Sequence, residues 1–187
     1  MLRLALVLSV VVAALALAGP ASSATVDCPS SGPCYGTSSA DTIWLTCGTT
    51  IAYGYQGGDT IYGTSCSETI YAGDGGDTVL DFQAGDTVYG EGGADHLYGG
   101  DGGDRLEGGP GNDWLDGGPG ADNLYGKTGQ DSLHGAAGND TLRDSFCDGG
   151  ADFSSDFFAG ESGTDTVWRD TANDLHDGTN ETVLYCV

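Results

Sequence analysis

Carboxylates recur along this chain at a fixed interval. Stepping by nine from Asp41 gives Asp41, Thr50, Asp59, Glu68, Asp77, Asp86, Asp95, Asp104, Asp113, Asp122, Asp131 and Asp140, so ten of the twelve positions are aspartate and an eleventh is glutamate. With 23 aspartates in 187 residues, chance would put one or two there. If the chain coils on that period, the acids fall into columns. Two carboxylates about 5 Å apart repel by roughly 1 kcal/mol in water and about 3 kcal/mol at an intermediate effective dielectric. A column of them needs a cation. Calcium fits best, because it accepts about 6–8 oxygen ligands in flexible geometry, whereas magnesium demands a tight octahedron and keeps its water.

The elements that must hold these acids follow from the residues around them. Two positions after each lie Ile43, Ala52, Ile61, Ile70, Val79, Val88, Leu97, Leu106, Leu115, Leu124, Leu133 and Leu142, eleven of which are Val, Ile or Leu. Twelve nine-residue units fill Gly36 to Arg143 without an insertion. In each, six glycine-rich residues can turn tightly and the next three can form a short strand with one apolar side chain inward. Two units make one coil, so residues 18 apart in sequence lie above one another about 4.8 Å apart. The acids then sort into two edges. Asp41, Asp59, Asp77, Asp95, Asp113 and Asp131 share one edge; Thr50, Glu68, Asp86, Asp104, Asp122 and Asp140 share the other.

The three most regular units are Gly99 to Glu107, Gly108 to Asp116 and Gly117 to Tyr125, each with the pattern GGxGxDxUx, where U is a large apolar residue. They resemble the calcium-binding nonapeptides of the haemolysin-type, or RTX, family. That resemblance implies an all-β parallel β-roll of about twelve units, two per coil, closed by a C-terminal cap. It also implies that each Ca2+ sits between stacked loops and takes the repeat aspartate together with loop carbonyls. The residues so implied are Asp59, Asp77, Asp86, Asp95, Asp104, Asp113, Asp122, Asp131 and Asp140, with the turn glycines Gly99, Gly100, Gly102, Gly108, Gly109, Gly111, Gly117, Gly118 and Gly120. The pattern decays towards Gly36, so Asp41 and Glu68 stand outside this set. Asp165 joins it only if its loop stacks on another.

Composition narrows the function. There are 5 Lys+Arg against 28 Asp+Glu, a formal net charge of -23, and 34 glycines. Such a surface repels nucleic acid and anionic membrane. One apolar residue per unit contributes about 1.5–3 kcal/mol, against about 1–2 kcal/mol of backbone entropy for each of the nine residues fixed. Metal binding is therefore expected to be part of the folding free energy.

Residues 1–24 read as a signal peptide, with Arg3 ahead of an apolar run and Ser22-Ser23-Ala24 as a small-residue cleavage site. The run is shorter than the about 20 residues a membrane span requires, and no other stretch spans a bilayer. A secreted, extracellular protein is expected. Its six cysteines suit an oxidising compartment. Fifteen connectivities are possible. Cys28, Cys47 and Cys66 are spaced by 19, one more than a coil. This spacing favours Cys47 with Cys66, leaving Cys28 with Cys34 and Cys147 with Cys186. Residues 25–35 then form an N-terminal disulfide-bearing cap, 36–143 the roll, and 144–187 a C-terminal cap. The last carries one out-of-phase unit, Gly160 to Trp168, and a glycosylation sequon at Asn180 that also reads as an ordinary turn.

The third strand position is rich in tyrosine: Tyr53, Tyr62, Tyr71, Tyr89, Tyr98 and Tyr125, with Trp44 at the start. Outward aromatic columns can stack on sugar rings, or simply stack on each other and stabilise the sheet. The threonine ladder at Thr42, Thr60, Thr69, Thr78, Thr87 and Thr141 is interrupted by His96, Arg105 and Trp114, which argues against an ice-ordering face. No HExxH or GxSxG motif is present, and an enzyme is not expected. The expected role is structural or interaction-mediating. The alternatives are a calcium-dependent adhesin for extracellular polysaccharide or a cell surface, and an accessory module of a polysaccharide-modifying enzyme.

Overall fold

The computed structural model describes residues 23–81, 83–143, 156–169, 175–176 and 181–185. The nine-residue units become a turn and a short strand. Thr60–Tyr62, Thr78–Leu80, His96–Tyr98 and Trp114–Asp116 each bury their central residue and turn its neighbours outward, as the two-residue alternation of a strand dictates. Successive strands belong to alternate sheets, and each pairs in parallel with the strand one coil away. Thr60 lies beside Thr78, Thr78 beside His96, and His96 beside Trp114, a step of 18 residues.

The result is an all-β parallel solenoid of about eight coils. Among the described residues it has two nine-stranded sheets, with a third, three-stranded ladder of Pro119–Gly120, Ala137–Gly138 and Ser162–Gly163 in the turns. One sheet contributes Ile43, Ile61, Val79, Leu97, Leu115, Leu133 and Phe158 to the interior; the other contributes Ala52, Ile70, Val88, Leu106, Leu124, Leu142 and Val167. All fourteen are fully buried in one cluster. The core is mainly a file of single side chains from each sheet, as the pattern requires, joined by Leu45 and Ala72 at the first positions of their units. Among the described residues no helix is long and apolar enough to cross a membrane.

The coil extends beyond Gly36 and Arg143 at both ends. Thr25–Asp27 pairs with Thr42–Trp44, and Cys34–Tyr35 with Ile51–Tyr53, so residues 25–35 supply an outermost coil. Cys28 and Cys34 are bonded within it, with Cα atoms 5.3 Å apart. After Arg143 the repeat skips seven residues and resumes. Ser132 pairs with Phe157 and Thr141 with Thr166, steps of 25 instead of 18. The unit ending at Trp168 is thus out of phase in sequence and in phase in space. Residues 144–155, which include the seven-residue insertion, the sequon's Asn180, Cys147 and Cys186 with their expected bond, and the leader up to Ser22 lie outside the described residues.

Cys47 and Cys66 are bonded across adjacent coils, Cα to Cα 5.3 Å. This staple lies beside Thr50, where the repeat lacks its acid. On the outer face Tyr35, Tyr53, Tyr71 and Tyr89 form a continuous stack with centroids 5.6, 5.1 and 4.9 Å apart and planes within 10° of parallel. Trp44 stacks on Tyr62 at 4.0 Å. Past Tyr89 the column turns polar: Glu107 pairs with Arg105 at 2.7 Å and Lys127 at 3.1 Å, and Arg105 lies 4.2 Å above the Tyr125 ring. Within the tyrosine column the rings cover each other's faces, which matches the stabilising use of such ladders.

Candidate metal centres

Each repeat aspartate joins two coils through one of its oxygens. On the first edge, the Asp41 N–H donates to Asp59 Oδ1 at 2.7 Å, and the same bond links Asp59 to Asp77, Asp77 to Asp95, Asp95 to Asp113 and Asp113 to Asp131 at 2.7–2.9 Å. On the second, Glu68 donates to Asp86, Asp86 to Asp104, Asp104 to Asp122 and Asp122 to Asp140 at 2.6–2.9 Å. The donors are backbone amides at the end of a turn, which would otherwise be buried without partners. One carboxylate oxygen is therefore structural.

The other oxygen is not used in this way. Oδ2 of Asp59, Asp77, Asp86, Asp95, Asp104, Asp113, Asp122, Asp140 and Asp165 is buried and accepts no hydrogen bond, on residues no more than 3% exposed. At Asp59, Asp95, Asp104, Asp113, Asp122, Asp140 and Asp165 it is turned toward the first glycine of its own unit. A Cβ added at Gly99 would come within 2.6 Å of Asp104 Oδ2 and 2.8 Å of the Gly117 carbonyl oxygen. One added at Gly90 would come within 2.5 Å of Asp95 Oδ2 and 2.6 Å of the Gly108 carbonyl oxygen. A carboxylate oxygen and a carbonyl oxygen from the next coil thus converge on the bare face of a glycine. Buried anionic oxygens without donors are costly unless they protonate or meet a cation. The donor set is all oxygen and mixes charged with neutral ligands, which fits calcium.

The electrostatics agree. Burial raises the Asp113 and Asp122 carboxyls to about 7, and those of Asp59, Asp77, Asp95, Asp104 and Asp140 to about 6. The ladder N–H bonds oppose the rise. Carboxylates one coil away add to it at Asp59, Asp77, Asp104, Asp113, Asp122 and Asp140. Burial raises Asp86 and Glu68 as well.

The structure brings the expected aspartates into two columns, and the glycines divide by task. Gly99 and Gly117 lie against Oδ2 of Asp104 and Asp122, and Gly108 likewise faces Asp113. Gly100, Gly109 and Gly118 carry positive φ of 93°, 116° and 90°. Gly102, Gly111 and Gly120 pack on the carbonyl one coil behind so closely that a Cβ there would overlap the oxygen of Ala84, Gly93 and Gly102 respectively. Asp41 also lies in its column: its Oδ1 accepts the Ala24 N–H at 3.0 Å and its Oδ2 the Thr37 N–H at 2.6 Å.

Further residues in the columns escaped the nine-residue count. Asp131 N–H donates to Asp156 Oδ1 and Asp140 N–H to Asp165 Oδ1, both at 2.9 Å, so each column continues across the insertion. The signal for Asp156 was present in Asp156-Phe157-Phe158, which repeats the acid-x-apolar order seven residues late. Asp81, at the first position of its unit in place of glycine, is also buried, and it lies close to Glu68 and Asp86.

A family model described as the RTX calcium-binding nonapeptide repeat (4 copies) matches residues 48–79, 83–115 and 116–143. The chain belongs to the RTX calcium-binding nonapeptide repeat family. The RTX match covers the coils with the most regular columns and leaves out Asp81. Comparison with curated proteins returned no match.

Proposed function

We propose that this RTX roll is a secreted calcium-binding protein whose coil is completed by Ca2+ held between stacked turns, and that its role is structural or interaction-mediating. The observation that carries this reading is the second carboxylate oxygen, buried and without a hydrogen-bond donor at nine positions along both edges. Asp59, Asp77, Asp86, Asp95, Asp104, Asp113, Asp122, Asp131 and Asp140 hold the ions, with the carbonyls of the turns around Gly99 to Gly120. Asp156 and Asp165 extend the same two rows. Folding then depends on the ion, because a file of single side chains is a small core for so many fixed turns.

Secretion follows from the leader and from the disulfides, which persist in oxidising compartments. There the reduced core is supplemented by two supports, covalent at the start of the roll and ionic further along. The terminal coils cap the sheets. A polysaccharide or cell-surface partner is the alternative role, but the tyrosines already cover each other's faces and leave mainly ring edges outward. A glycan array probed with and without chelator separates the two roles: chelator-sensitive binding to a glycan class favours the adhesin, and its absence favours the structural role. Calorimetric titration of chelator-treated protein tests the calcium reading itself. Several ions bound per chain support it, and no heat of binding refutes it.

A further inference from the structure

One turn on the second edge differs from the others. Most units open with a glycine whose bare face meets the aspartate's second oxygen, as at Gly54, Gly90, Gly99 and Gly117. The unit 81–89 opens with Asp81. That side chain is 5% exposed and reaches back over the preceding coil, where a Cβ on Gly63 would collide with its carboxylate. There it meets two more acids: one oxygen each from Glu68, Asp81 and Asp86 lie within 4.8 Å of one another, and all three residues are buried.

A separate observation points to a ligand at this spot. Asp86 is 2% exposed. Its Oδ1 accepts the Glu68 N–H, but its Oδ2 is buried and accepts no hydrogen bond. In the units opening with Gly54, Gly90, Gly99, Gly108 and Gly117 that second oxygen faces the first residue of the unit, and the same arrangement here places it toward Asp81. Glu68 is held in position by the Thr64 hydroxyl and N–H, and the neighbouring Cys66 is tied to Cys47. One coil earlier the column has Thr50 and no acid, so the triad marks the end of this row of carboxylates.

We propose that Glu68, Asp81 and Asp86 form a cation site different in kind from the repeat sites, with three carboxylates where the others combine carboxylate and carbonyl oxygens. It takes a hard, oxygen-seeking cation of calcium size, and it fills before the repeat sites because a ligand set of greater negative charge binds such ions more tightly. The gain is largest for a trivalent ion. The proposal rests on the calcium reading of the two edges, but its distinguishing residue, Asp81, plays no part in that reading.

Titration of the intact chain with Tb3+, followed by luminescence, and with Ca2+, followed by calorimetry, compares wild type with Asp81→Asn and Asp81→Gly. The second variant restores the residue that most units carry, so it keeps a foldable turn. The first and tightest binding step is expected to weaken by about tenfold or more in both variants, while the later steps stay within about twofold of wild type. A first step unchanged in either folded variant overturns the proposal and leaves the calcium reading standing. Absence of Tb3+ and Ca2+ binding in wild type overturns both.

Discussion

Each repeat aspartate has two separable duties, one for each oxygen, and this makes its substitution informative. Oδ1 of Asp113 accepts the Asp95 N–H at 2.9 Å, whereas Oδ2 faces Gly108 on the side where the Gly126 carbonyl oxygen also lies. In Asp113→Asn the retained oxygen can keep the ladder bond, and the new amide N–H can donate toward that carbonyl. The variant is therefore expected to stabilise the calcium-free chain, by on the order of 1–3 kcal/mol for relief of a buried unpaired acceptor, and to destabilise the calcium-loaded one. Urea unfolding with chelator and with calcium checks the crossing; a loss of stability in both conditions contradicts it. The pH dependence follows from the same atoms. Burial raises the carboxyls of Asp113 and Asp122 to about 7 and those of Asp59, Asp77, Asp95, Asp104 and Asp140 to about 6. A folded value above the unfolded one means that the folded chain binds more protons in the interval between them, so stability falls as pH rises. Without calcium, the contribution is fully present below about pH 4 and lost as pH climbs through about 6 to 7. Far-UV circular dichroism of chelated protein should show more β structure at pH 5 than at pH 8. Calcium affinity should move the other way and fall with acid, since protons compete for the same oxygens.

Among the turns, the second position of the unit decides how easily the chain reverses. It is left-handed in Gly100, Gly109 and Gly118, and also in Tyr55, Glu91, Lys127 and Ala136, which have φ of 81°, 70°, 80° and 67°. A side chain costs roughly 1–2 kcal/mol in that region. Ala136→Gly is expected to raise the midpoint of thermal unfolding and Gly109→Ala to lower it; equal midpoints would contradict this assignment of strain. The aspartate and apolar positions, the 18-residue coil and the pairing of Cys47 with Cys66 were legible in the sequence because they repeat, and repetition fixes register without tertiary information. Asp156 and Asp165 were harder to place. An insertion in a solenoid can loop out without disturbing the stacking, so the 25-residue step conceals a spatial step of one coil. Asp81 was hidden for a different reason: it occupies a glycine position, and only the stacking of its turn on Gly63 brings it to Glu68 and Asp86.

At the scale of the molecule, the roll has a narrow interior and two long rows of buried acids, and the two features are linked. Large apolar side chains that are fully buried enter at most one per strand, so lateral packing cannot grow with the number of coils as it does in a globular core. The disulfides reinforce the start of the roll, where Thr50 interrupts the acids, and the carboxylate rows run on through Asp156 and Asp165. Removing calcium should therefore leave a chain held chiefly at its N-terminal coils, with the central units repelling one another. The most direct test is far-UV circular dichroism of the disulfide-intact protein at pH 7.5 during a calcium titration from chelator. A cooperative rise of β signal that chelator reverses is expected; the same full β spectrum at every calcium concentration would mean that the coil stands without the ion.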